Sequence, residues 1–197
     1  ELGLIPKGWE VVSLKEVTQI FDSMRVPLSA KERSLRRGQY PYYGAASQMD
    51  SIDDYIFDGV YLLMAEDGSV EDKNGKPVLQ YVWGKFWVNN HAHILQGKNG
   101  VSTEHLLLSL KNSVITPYVT GAVQAKLSQS NLWRLSFILP PTYVLDNFSQ
   151  TLATLYGSIR ANSETALTLD AIRDTLLPRL ISGKLRVPID ETEPSEV

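Results

Sequence analysis

From Tyr143 to Ser182, apolar side chains recur at alternating steps of three and four. Leu145, Phe148, Leu152, Leu155, Ile159, Ala166, Leu169, Leu176 and Leu180 share one seam, with Asn162 and Arg173 as its only polar members. This is the heptad pattern of a coiled coil. A helix of that length reaches about 60 Å, too far for one stripe of leucines to be buried on a compact body built from a 197-residue chain. The seam therefore requires a second long helix, and no other segment supplies one. The reading is a partner chain, most simply another copy, with Leu145, Phe148, Leu152, Leu155, Ile159, Asn162, Leu169, Leu176 and Leu180 as its contact residues.

The remainder, with 43% hydrophobic and 21% charged residues overall, suits one folded domain carrying a helical arm. The absence of cysteine excludes disulfides and thiolate metal sites and suits a reducing cytosol, so a cytoplasmic location is expected. No signal peptide is visible, and apolar runs such as Tyr61 to Ala65 are too short to span a membrane. A net charge of −3 argues against binding nucleic acid by bulk charge. The charge is uneven, however. Arg25, Lys31, Arg33, Arg36 and Arg37 crowd one stretch against only Glu32, and Asp50, Asp53, Asp54 and Asp58 follow. The cluster reads either as a locally basic surface or as an ordinary solvated loop.

Ile5-Pro6-Lys7-Gly8 is extended and turn-rich, and Trp9 to Val12 follows as a short strand. Ser13 and Glu16 have the spacing of a capping box, with Leu14, Val17, Ile20 and Phe21 forming one face of a short helix that stops near Asp22. Turn residues punctuate Ser23 to Gln48. Tyr55 to Glu66 and Pro77 to Leu95 read as strands broken at Asp67-Gly68 and Asn74-Gly75, the latter pair marking a hairpin. Thr103 to Lys111 is a second short helix, and Leu135 to Leu139 is a strand ending at Pro140-Pro141. The long helix starts just beyond; Pro178 kinks or ends it and Gly183 caps it. The expected class is α+β: a mixed globular domain over 1–141, a long helix over 142–183 and a C-terminal tail over 184–197, acidic from Asp190 to Val197.

Signals for catalysis are weak. His91 and His93 fall on one side of a strand, and with Glu66 or Asp67 they make a conceivable zinc site. Such a site needs further ligands, and His105 is the only other histidine. Packing histidines are the preferred reading, and no metal is expected. Asp54 with Glu71-Asp72-Lys73 superficially matches a divalent-metal nuclease, yet Glu71 to Gly75 reads more plainly as a hairpin tip. There is no Gly-rich phosphate loop, no methylase tetrapeptide such as Asn-Pro-Pro-aromatic, and no nucleophile elbow, so no catalytic residue is expected. Thr120 to Leu132 differs in kind. It carries a Gly, amides, hydroxyls and Lys126, groups that bond base edges or phosphates without much net charge, though a self-satisfied capping loop has the same composition. Tyr40, Tyr42 and Tyr43 have the same ambiguity between a binding surface and loop packing.

Several fragments stand in a telling order. Ile5-Pro6-Lys7-Gly8-Trp9-Glu10 comes first, then Tyr42-Tyr43-Gly44-Ala45, then Glu66-Asp67-Gly68. Trp87 to His93, Gly121 to Leu132 and Leu139-Pro140-Pro141 follow, and Arg173 to Pro178 with Ser182-Gly183 close the series. Together they resemble a specificity subunit of a type I restriction-modification system, over nearly the whole chain. The resemblance implies a target recognition domain that reads half of a split double-stranded DNA sequence, with a long helix acting as spacer. The family normally has two such units in tandem, their helices pairing antiparallel. This chain has one, so the resemblance implies either a half-subunit that forms a homodimer through its helix or a piece of a longer product. A homodimer of one reading head implies an interrupted palindrome, with Asn162 setting register.

By the same resemblance the chain is not an enzyme and binds no cofactor. S-adenosylmethionine, ATP and Mg²⁺ belong to separate methyltransferase (M) and restriction (R) subunits. The candidate DNA surface is Arg25, Lys31, Arg33, Arg36, Arg37, Tyr42, Gln48, Lys76, Gln124 and Lys126. Two other readings remain open: a coiled-coil scaffold without nucleic-acid ligand, and a metal-dependent nuclease using Asp54 and Glu71.

Overall fold

In the computed structural model of the chain, residues 5–121 and 123–186 are described. The acidic tail expected over Asp190 to Val197 lies outside them. The chain divides into two units, one up to Thr154 and one from Leu155 onward.

The first unit opens with β1 (Glu10–Ser13) and α1 (Leu14–Val17). The Ser13–Glu16 capping box forms as expected, the Ser13 N–H donating to Glu16 Oε1 at 2.9 Å. The helix is shorter than its apolar spacing suggested. It stops at Val17, and the chain extends into β2 (Thr18–Ile20), which pairs with β9 (Ala92–Gly97). Sheet pairing outweighs helical continuation here, favoured by the β-branched Thr18 and Ile20. Ser23 to Gln48 holds more than turns. A 3-10 turn spans Asp22–Met24, α2 is Ala30–Leu35, and β3 is Arg37–Tyr43. A second capping box, Ser29 with Glu32, starts α2.

The remaining strands are β4 (Gln48–Ile52), β5 (Phe57–Asp58), β6 (Tyr61–Ala65), β7 (Leu79–Val82), β8 (Lys85–Val88) and β10 (Ser136–Leu139). They form two four-stranded sheets, ordered β2-β9-β6-β7 and β4-β3-β8-β5, and a two-stranded ladder of β1 with β10. All pairs are antiparallel except β3 with β8. One cluster of Phe57, Leu63, Val82, Phe86, Val88, Ala92 and Ile94 draws residues from both four-stranded sheets. Tyr42, Ile52 and Trp87 make a second core. The helix expected at Thr103 to Lys111 is α3, with Leu106, Leu107 and Leu110 buried. A short α4 (Gln129–Leu132) precedes β10.

The long helix, α5, is Thr142–Ile181. It continues three residues past Pro178 and closes at Gly183, whose φ of +70° suits a residue without a Cβ and whose N–H donates to the Leu180 carbonyl at 3.1 Å. Its seam is not uniform. Leu145 and Leu152, 5% and 4% exposed, are buried within the first unit, and Phe148 packs edge-on against His105 at 4.9 Å. These three seam positions, read from the sequence as contacts to a partner, already have partners within this chain. From Leu155 onward the seam is exposed: Leu155, Ile159, Leu169, Leu176 and Leu180 all face solvent.

Candidate nucleic-acid interface

The basic stretch folds against the acidic one that follows it. β3 and β4 pair antiparallel, with a register shift between Arg37 and Tyr40, and this returns the chain so that arginines meet aspartates. Arg33 Nε lies 3.3 Å from Asp50, and Arg36 lies 3.0 Å from Asp53 and 3.6 Å from Asp54. Arg33 also covers the Tyr42 ring and Arg36 the Trp87 ring, each at 5.1 Å. Two of the five clustered cations are thus committed to packing here. The shift itself depends on Gly38, where a Cβ would sit 2.4 Å from the Asp53 Cα. Tyr42 does not reach the surface. It is fully buried, and its hydroxyl accepts from the Leu28 N–H at 2.9 Å. Its place as a DNA contact is corrected: it packs the loop onto the core, as tyrosines beside a glycine often do.

Lys31 and Arg37 are exposed and form no ion pair among the described residues. Arg37 and the exposed Gln48 line an open cleft of about 580 Å³ together with Gly38, Met49, Asp50 and Ser51. The Gln48 amide donates to the Asp50 carbonyl and to Ser51 Oγ, both at 3.1 Å. At the helix start, hydrogen bonds from the Ser29 side chain and backbone hold the Glu32 carboxyl below its ordinary pKa.

Lys76, Gln124 and Lys126 belong to a separate group built on the arm between β6 and β7. The arm's tip is the expected hairpin turn: Glu71 bridges Pro77, and the Asp72 N–H donates to the Lys76 carbonyl at 2.8 Å. Backbone N–H groups of Lys76 and Asn74 hold the Asp72 carboxyl below its ordinary pKa. The 120–126 loop closes on itself through paired bonds between Thr120 and Lys126, at 2.8 and 2.7 Å, and joins the arm where Ala125 accepts from Gly68 at 3.0 Å. Gly121, at φ +99°, makes this possible, because a Cβ there would stand 2.1 Å from the Gln124 carbonyl oxygen. The loop displays Val123 fully exposed and Gln124 beside it.

An ion cluster anchors the base of this loop. Arg25 Nη1 donates to Glu66 Oε2 at 2.6 Å and to the Ala92 carbonyl at 2.8 Å, while Lys126 Nζ lies 3.3 Å from Glu66 Oε1. His93 is buried with Nδ1 2.6 Å from Asp22 Oδ2 and Nε2 2.7 Å from the Leu127 carbonyl. Asp22, Glu66 and His93 have the proximity of a metal-ligand set, but the Arg25 guanidinium supplies the cation and both His93 nitrogens are already engaged. His91 is not with His93 as strand alternation suggested. It precedes β9, is exposed, and meets Asp67 at 2.8 Å. Arg25 therefore belongs to the framework rather than to a free basic surface. The sequence offered Glu66 and His93 as a conceivable zinc site and preferred a packing role for the histidines, which the buried His93 takes, whereas Asp22 carried no signal at all. The nuclease pair is likewise committed elsewhere: Asp54 pairs with Arg36 and receives the Tyr55 N–H, and Glu71 accepts from Thr116 Oγ1 at 2.6 Å.

Residues 6–165 match the model of the type I restriction modification DNA specificity domain. The chain belongs to that family. Specificity subunits are non-catalytic, and the fragments read from the sequence between Pro6 and Pro141 fall within the matched residues. Among relatives of this specificity domain, S.HindORF215P of Haemophilus influenzae, named as a type I restriction enzyme specificity subunit, is 34% identical over 142 residues, covering 72% of this chain and 36% of its own length. The type I restriction enzyme MjaIX specificity subunit of Methanocaldococcus jannaschii is 24% identical over 200 residues, covering 93% of this chain and 46% of its own. The crystal structure of a type I restriction-modification S subunit from M. genitalium shares the fold, with a TM-score of 0.56 at 16% identity over 87% of this chain and 45% of that one. The specificity domain thus spans less than half the length of each of these proteins. No helix among the described residues is long and apolar enough to cross a membrane.

Proposed function

We propose that the chain reads one half of a split double-stranded DNA sequence in the cytoplasm and pairs with a second copy of itself through α5. It directs separate methyltransferase subunits, and with them a restriction subunit. S-adenosylmethionine, ATP and Mg²⁺ act on those partners, and this chain supplies recognition and spacing. The observation that carries the reading is the division of the α5 seam: Leu145 and Leu152 are buried within the recognition unit and Phe148 packs on His105, whereas Leu155, Ile159, Leu169, Leu176 and Leu180 lie open with no such contact among the described residues. A soluble helix with a stripe of that length exposed needs a matching helix.

Lys31, Arg37 and Gln48 on one patch, and Lys76, Gln124 and Lys126 on the other, are the groups offered to DNA. Few of them are free cations, so affinity for DNA is weak alone and rises when the methyltransferase adds phosphate contacts. The test is methylome sequencing of cells expressing the chain with a methyltransferase subunit that binds it, against cells lacking the chain. A new split palindromic motif supports the reading. A split asymmetric motif overturns self-pairing in favour of a different second half, and no motif from a confirmed complex overturns DNA reading in favour of a scaffold.

A further inference from the structure

The exposed part of the seam has a symmetry of its own. Its positions, Leu155, Ile159, Asn162, Ala166, Leu169, Arg173, Leu176 and Leu180, are spaced four, three, four, three, four, three and four, and that series is the same read backwards. Its two limits are physical. Below Leu155 the seam turns into the chain's own core at Leu152, and beyond Leu180 the helix ends at Ile181 and Gly183. A helix laid antiparallel on a second copy, with the two centres aligned, uses every seam position from Leu155 to Leu180 and neither of the buried leucines, Leu145 and Leu152.

We infer that two copies pair antiparallel in this single register, and that two identical polar layers, Asn162 of one copy against Arg173 of the other, fix it. The inference rests on the self-pairing proposed above. In this register Leu155 faces the second copy's Leu180, Ile159 faces Leu176, and Ala166 faces Leu169. A small residue thus stands against a large one at the two central layers. Arg173 arrives already balanced, with Asp170 at 2.7 Å and Asp174 at 2.9 Å on its own helix, so its guanidinium can meet a neutral carboxamide oxygen without an unpaired charge entering the seam. Exposed Ile172 and Leu177 widen the same face. Parallel pairing sets Arg173 on Arg173 and Asn162 on Asn162, placing like charges together in an apolar seam. A shift by one heptad in either direction puts Arg173 against an apolar residue and leaves seam leucines uncovered.

The native chain has no cysteine, so disulfide trapping reports register directly. Leu155→Cys and Leu180→Cys are prepared separately, and each is oxidised alone and after the two are mixed and re-equilibrated. Sedimentation of the unmodified chain gives the oligomeric state independently. The expected result is a dimer in solution, a disulfide-linked heterodimer in the mixture, and little covalent dimer from either variant alone. Covalent dimers from the single variants, or a dimeric chain with no cross-link in the mixture, overturn the register while leaving self-pairing intact. A chain that sediments as a monomer at tens of micromolar overturns self-pairing itself. As a second readout, Asn162→Leu with Arg173→Leu keeps the dimer but lets the single cysteine variants cross-link, because the polar layers no longer exclude other alignments.

Discussion

Arg25 Nη1 lies 2.6 Å from Glu66 Oε2, and this contact joins the segment after β2 to the end of β6, forty-one residues further along the chain. Both side chains are largely buried, so each neutralises a charge the other could not carry there alone. Glu66→Gln keeps the shape and removes the charge. It is expected to cost about 3 kcal/mol in chemical denaturation, the range for breaking a buried pair. Lys126→Met removes a half-exposed partner of the same carboxylate and is expected to cost less than about 1 kcal/mol. Equal costs for the two would mean that Glu66 is not the anchor.

The division of the α5 seam separates two neighbouring leucines. Leu152→Ala empties a buried site and is expected to cost about 2–5 kcal/mol in stability. Leu155→Lys leaves the fold of the recognition unit unchanged, as read by its melting transition, and abolishes self-association in sedimentation. If Leu155→Lys unfolds the unit, the boundary between core and pairing face is misplaced.

Gly38→Ala brings a methyl group against the Asp53 backbone where no side chain can yield. A loss of about 1–3 kcal/mol is expected, the range for overpacking. Because Gly38 lines the same cleft as Arg37 and Gln48, the same variant should also lose sequence-specific binding in the methyltransferase complex under conditions where it remains folded.

His105 is packed between Phe137 and Phe148, its Nδ1 has no hydrogen-bond partner, and burial lowers its pKa from 6.5. The unfolded chain therefore takes up this proton first. Stability contributed by the neutral ring is fully present above pH about 6.5, declines as the pH falls below that value, and levels off below the folded pKa. His105→Leu should flatten that part of the stability profile, measured by denaturation midpoints from pH 8 to 5. An unchanged profile would assign the slope to other groups.

Exposed and committed cations should separate in binding. Arg37→Ala in the methyltransferase complex is expected to weaken DNA binding across sequences and to reduce the salt dependence by about one charge. Arg36→Ala, whose partners are Asp53, Asp54 and Trp87, should lower stability with little change in the salt slope. Gln48→Ala should alter sequence preference rather than general affinity.

What the sequence made legible was local or periodic. The Ser13 cap, the Asp72 to Gly75 tip, the Thr103 to Lys111 helix and the α5 heptads all follow from residues a few positions apart. The Ser29–Glu32 cap had the same spacing and was equally readable, but it lay within a stretch dominated by turn residues. What was hidden depends on distant pairing. No local pattern says that Arg33 and Arg36 will be neutralised by aspartates across a β-ladder, that Arg25 will close on Glu66, or that Tyr42 will turn inward. The first turns of α5 were misassigned for a related reason. A seam records which residues are apolar, and an apolar residue looks the same whether its cover comes from its own chain or from another.

The ladder of β1 with β10 sets Glu10 opposite Leu139 and Ser13 opposite Ser136, so everything between these strands begins and ends at one doorway. The exposed loops between Leu14 and Leu135 can therefore lengthen or shorten without moving this doorway, provided that the seats for Phe148 on His105 and for Leu145 beside Gly100 are kept.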